Sequence, residues 1–140
     1  MAMSQGRMRT NYFRTTDVEK LKVLVEKAQG QDGDAVTLFH ETIDGETLYG
    51  FGCISQLLGY HDDDAEEYDY DAFLHDLQTV VAPGDAIIIM EINYEKLRYV
   101  CGWAAIITSE KIESMDFTKL VLQKAAEVVG NPDYQTKIEY

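Results

Sequence analysis

Between two strand-like runs, 35–42 and 47–54, stands the pair Asp44-Gly45. An aspartate followed by a glycine tolerates the two positive φ angles of a type I′ turn, whose twist matches that of paired strands. The chain is committed here to an antiparallel hairpin. The two-residue loop sets its register, with Leu38 opposite Phe51 and His40 opposite Tyr49 on one face and Phe39 opposite Gly50 on the other. The last pairing gives the glycine a reason, since an aromatic ring can cover a neighbour that has no side chain.

A second hairpin follows from residues 86–92 and 97–108, which are apolar on both faces and so belong at the centre of a sheet. With residues 93–96 as its loop, Glu91 falls opposite Arg98, and a cross-strand ion pair results. Three helices are predicted. Thr16-x-x-Glu19 has the form of a capping box ahead of a helix over about 17–28. Phe73, Leu74, Leu77, Val80 and Val81 mark one stripe of a helix over about 69–81. Asp116 is a good cap for a third helix, which Gly130-Asn131-Pro132 stops. Short strands are expected at 11–14 and 112–115, and residues 133–140 alternate weakly enough to add an edge strand. Residues 55–68 show no period and read as one long loop. The fold class is therefore α+β, a mainly antiparallel sheet of about five strands in the order β-α-β-β-α-β-β-α. Three helices are expected to pack largely on one face, with 1–10 a flexible tail and 11–140 a single domain.

Charge narrows the function. The 140 residues carry a formal charge of −13. Residues 1–27 hold six Lys/Arg against three Asp/Glu, and 28–140 hold six against twenty-two, so the body is near −16 and the start +3. Direct nucleic-acid binding needs a basic face to displace counterions, and anionic membranes repel such a body for the same reason. No run has the length of a signal peptide or a membrane span, which makes the cytoplasm the expected compartment. Cys53 and Cys101 lie in apolar strand runs without CxxC or Cys/His spacing and read as buried free thiols.

The acids concentrate between Tyr60 and Asp76. Asp62, Asp63, Asp64, Glu66, Glu67, Asp69 and Asp71 surround Tyr68 and Tyr70 there, and no basic side chain stands between Lys27 and this cluster. A calcium loop fails on its spacing: Glu67 takes the sixth place, where a glycine permits the turn, and Phe73 the twelfth, where a bidentate glutamate closes the loop. His40, His61 and His75 are scattered, and neither a metal set nor a nucleotide or nucleophile motif is present, so neither cofactor nor metal is expected. Glu91, the one acid in an apolar strand, is the best single candidate for acid/base chemistry, and pairing with Arg98 explains it structurally. Tyrosines among carboxylates suit an interface that is apolar at one end and wet at the other. Carboxylates spaced along a surface can also imitate the phosphates of a duplex.

The phrases Thr10-Asn11-Tyr12-Phe13-Arg14, Ile88-Ile89-Met90-Glu91-Ile92, Glu95-Lys96-Leu97-Arg98-Tyr99-Val100 and Gly130-Asn131-Pro132, with a terminal Tyr140, resemble a group of short acidic proteins associated with mobile elements of gut Gram-positive bacteria. The resemblance implies an accessory protein of a mobile element, with countering host defence as its context. Taken with the charge, the expected function is non-enzymatic. A basic protein partner would bind Asp62, Asp63, Asp64, Glu66, Glu67, Tyr68, Asp69, Tyr70 and Asp71, in one form as a DNA mimic. The alternative is a small hydrolase or metal-dependent enzyme that uses Glu91 or the acid cluster.

Overall fold

The computed structural model describes residues 5–61 and 67–137. The class is α+β. Six strands form one antiparallel sheet in the order β3-β4-β1-β7-β8-β9: β3 (Thr37–Ile43), β4 (Glu46–Cys53), β1 (Gln5–Thr10), β7 (Ile87–Glu95), β8 (Tyr99–Ile107) and β9 (Ile112–Asp116). A second sheet joins β2 (Ala28–Gly30), β5 (Leu57–His61) and β6 (Tyr68–Asp69).

The first hairpin has the expected register, Leu38 with Phe51, Phe39 with Gly50 and His40 with Tyr49. Asp44 and Gly45 both take positive φ, 53° and 79°. The Phe39 ring lies so close over Gly50 that a Cβ there would come within 2.6 Å of it. Tyr12 meets that ring edge-on at 5.7 Å, and the Arg9 guanidinium lies 4.7 Å from its centroid.

Elsewhere the structure departs from the expectations. Gln5–Thr10 is not a tail but a strand between β4 and β7, with Met8 opposite both Cys53 and Glu91. Met8 and Thr10 alternate with Arg7 and Arg9, and the two arginines on the exposed face conceal a period of two. Within 11–14 only Phe13 pairs, in a bridge to Tyr49. Residues 57–61, expected in a loop, form β5. Gly59 interrupts the apolar alternation because its φ of 102° lets the backbone pass against Tyr70, where a Cβ would stand 2.6 Å from the Tyr70 Cα.

The second hairpin is longer than expected, since Asn93 and Tyr94 continue the strand. The turn is 96–98, Glu91 faces Trp103, and Arg98 turns back to Glu95 at 3.1 Å. The proposed Glu91–Arg98 pair is therefore replaced. Residues 133–137 add no strand, and 138–140 lie outside the described residues.

The helices are α1 (Val18–Lys27), α2 (Tyr70–Gln78) and α3 (Phe117–Val129). Each starts at an aspartate whose side chain accepts a backbone N–H: Asp17 from Lys20, Asp69 from Ala72 and Asp116 from Lys119. Asp17 thus takes the place expected for Thr16, whose own N–H goes to the Val80 carbonyl. Gly130 ends α3 with φ 82°. Leu21, Leu24 and Val25 of α1 and Phe73, Leu74 and Leu77 of α2 are buried with Phe51, Ile87, Ile89, Ala105 and Ile107 of the large sheet. Helix α3 lies beside β8, with Phe117 against Gly102, and borders a groove with the sheet. No helix among the described residues is long and apolar enough to cross a membrane.

Candidate functional site

Asp62, Asp63, Asp64 and Glu66 lie outside the described residues, and the structure places what flanks them. Glu67 is exposed. Tyr68 pairs with His61 across β5 and β6, and the two rings lie 4.6 Å apart. Asp69 caps α2, while Asp71 stands exposed in its first turn. No ion pair among the described residues joins Glu67, Asp69, Asp71 or Asp76 to a basic side chain. Lys27 of α1 places its Nζ 4.7 Å from the centroid of the Tyr60 ring. Tyr60 donates its hydroxyl to Asp76 at 2.7 Å. Burial first, and that hydrogen bond second, hold its phenol well above the usual tyrosine range.

Tyr70 points the other way. Its ring meets Trp103 edge-on at 5.6 Å, and its hydroxyl is buried with no hydrogen-bond partner among the described residues. Burial is the main reason its phenol is raised, with the charge of Glu91 next. Of the described residues expected to meet a partner, Tyr70 is the one whose hydroxyl is buried.

Glu91 is 1% exposed. One carboxylate oxygen accepts the Leu57 N–H at 2.7 Å, which ties β5 to the large sheet, and the other has no hydrogen-bond partner among the described residues. Burial raises this carboxyl above the ordinary glutamate range. The Leu57 N–H, the Trp103 indole and the Asn93 side chain oppose the rise. The environment therefore favours the neutral acid. Burial likewise pushes the Cys53 thiol up, so it is a poor nucleophile. Cys53 is buried and Cys101 half-buried, and both are unbridged.

Sequence reasoning missed the other face of the large sheet. Met90, Ile92, Val100, Met115, Phe117 and Leu120 are each between 43% and 68% exposed and border a groove of about 300 Å³ between the sheet and α3. The signal was present in the second hairpin, whose strands are apolar on both faces. It reads equally well as a strand packed on both sides. Helix α3 has no fully buried residue, and its apolar side chains close the groove only in part.

No family model, curated protein or solved structure matches the chain. The functional reading therefore rests on the residues themselves.

Proposed function

We propose that this chain is a non-enzymatic acidic protein that binds a basic protein partner along the flank formed by the 60–71 segment and the first turn of α2. The observation that carries the reading is the distribution of charge. Residues 28–95 hold sixteen Asp/Glu and no Lys/Arg, and the flank acids Glu67 and Asp71 are exposed without an ion pair among the described residues. An uncompensated field of one sign steers a partner of the other and speeds encounter. A protein that grips duplex phosphates is a natural partner, because spaced carboxylates present similar charges. A role as accessory factor of a mobile element belongs to the same reading.

The carboxylate-enzyme alternative centres on Glu91. That residue has the raised pKa of a general acid, but it is 1% exposed, and its side chain shares the packed face of β7 with the buried Ile87 and Ile89 although the residue itself borders the groove. Binding is the better reading.

Capture from a host lysate tests the proposal. The bait is compared with a variant in which Asp62, Asp63, Asp64, Glu66 and Glu67 become Asn or Gln. Asp69 and Asp76 are left alone because one caps α2 and the other holds Tyr60. A basic protein retained by the native chain at low salt, and lost with the variant, supports the proposal. Equal retention by both places the interface elsewhere.

A further inference from the structure

The groove face differs from the rest of the molecule in charge as well as in polarity. Residues 96–140, which supply β8, β9 and α3, hold six Lys/Arg and six Asp/Glu, so the whole of the −13 lies in the remainder of the chain. Within this half Lys124 pairs with Glu127 on α3, while Arg98 pairs with Glu95 just before it, at the edge of the turn. Of the exposed apolar side chains, Val100, Met115, Phe117 and Leu120 belong to this half of the chain, and Met90 and Ile92 to the neighbouring β7.

We infer that this face is a self-association surface, occupied by a second copy of the same chain in an isologous dimer. In a two-fold interface a patch meets itself, so a patch of one sign opposes its own charge, whereas one balanced in sign can pair with its own image. The face built from β8, β9 and α3, with Glu113, Asp116, Lys119, Lys124 and Glu127, is close to balanced. It is also where Met90, Ile92, Val100, Met115, Phe117 and Leu120 stand open to solvent. An exposed apolar patch of this kind, rimmed by charged residues of both signs such as Lys119, Lys124, Glu113 and Glu127, is typical of an interface rather than of a monomer surface. A basic partner has little to gain here, since the local charge offers it no attraction. Docking a second copy also supplies what α3 lacks, a layer against its apolar side. This inference does not depend on the acidic flank or its partner.

Sedimentation equilibrium of the full chain at low and high salt decides the matter, with Ile92→Lys and Val100→Lys prepared alongside. Both positions are more than half exposed, so lysine there leaves the packed core alone. Each substitution makes the net charge less negative, so dissociation of a variant cannot come from greater overall repulsion. The native chain should sediment at twice 15.9 kDa, unchanged or more firmly associated at high salt, and both variants should fall to the monomer mass. A native monomer at the highest attainable concentration overturns the inference. So does a dimer that either lysine leaves intact, or one that salt dissociates. Circular dichroism matching the native chain establishes that a monomeric variant is folded; should one variant unfold, the other carries the test.

Discussion

The Glu91 carboxylate accepts the Leu57 backbone N–H at 2.7 Å, and through this bond an ionisable group inside the large sheet holds the middle strand of the small one. A buried acid in this position makes the packing of two sheets depend on protonation. The neutral form avoids the cost of burying charge, and the bond to Leu57 persists in either form.

Stability should therefore carry a pH signature. The folded-state pKa of Glu91 is raised above its unfolded value, so the group's contribution is fully present below the unfolded pKa, about 4.3, and is lost as pH rises through the folded one. Urea unfolding at stepped pH should show this decline in the native chain. Glu91→Gln, which stays neutral and keeps an acceptor for Leu57, should flatten it. Glu91→Ala should cost about 1–3 kcal/mol for the unsatisfied N–H alone. An identical pH slope in native chain and Gln variant would show that Glu91 does not titrate in this range.

Trp103 reports on the same cluster, being the only tryptophan and the cross-strand neighbour of Glu91. Its emission should be blue-shifted, as its ring packs against the core beside Tyr70. The intensity should change as Glu91 titrates and hold steady in Glu91→Gln. A water-like maximum in the folded protein would contradict this placement.

Gly50→Ala should destabilise the first hairpin. The added Cβ would meet the Phe39 ring at 2.6 Å and the Asn11 carbonyl at 3.0 Å, and the ring would have to leave its place beside Tyr12 and Arg9. Overpacking of this kind costs about 1–3 kcal/mol. A midpoint of urea unfolding equal to that of the native chain would show that the ring yields freely.

The two thiols should alkylate without reductant, Cys101 faster than Cys53. Cys53 is 8% exposed and its thiol is raised by burial, whereas Cys101 is half-buried. Mass spectrometry along a time course reads the order, and a bridged species or the reverse order would contradict the structure.

Local rules were strong where one interaction decided the outcome. Asp44-Gly45 dictated a turn and thereby seven strand pairings, and the Phe73 to Val81 stripe located the buried side of α2 and its C-terminal turn. They failed where the partner was distant in sequence. Nothing near Gln5–Thr10 reveals that β4 and β7 will flank it, and Leu57–His61 becomes a strand because Ala28–Gly30 and Tyr68–Asp69 receive it. Glu91 illustrates the same limit: its isolation in an apolar run marked it as unusual, but its partner came from β5 rather than from the neighbouring turn. For the acidic flank, composition exposed the charge at once, while the division of labour needed coordinates: Asp69 caps a helix, Asp76 holds Tyr60, and Tyr70 faces inward.

Recognition of a basic partner by the acidic flank is tested most directly by the association rate of the captured partner across a range of ionic strength. Charges exposed at such an interface are screened over about 8 Å at physiological salt. The native chain should associate fast at low salt and progressively more slowly as salt rises. The variant with Asp62, Asp63, Asp64, Glu66 and Glu67 replaced by amides should begin slower and depend on salt less, with dissociation changed little. An association rate that is the same for both chains and indifferent to salt would contradict the account.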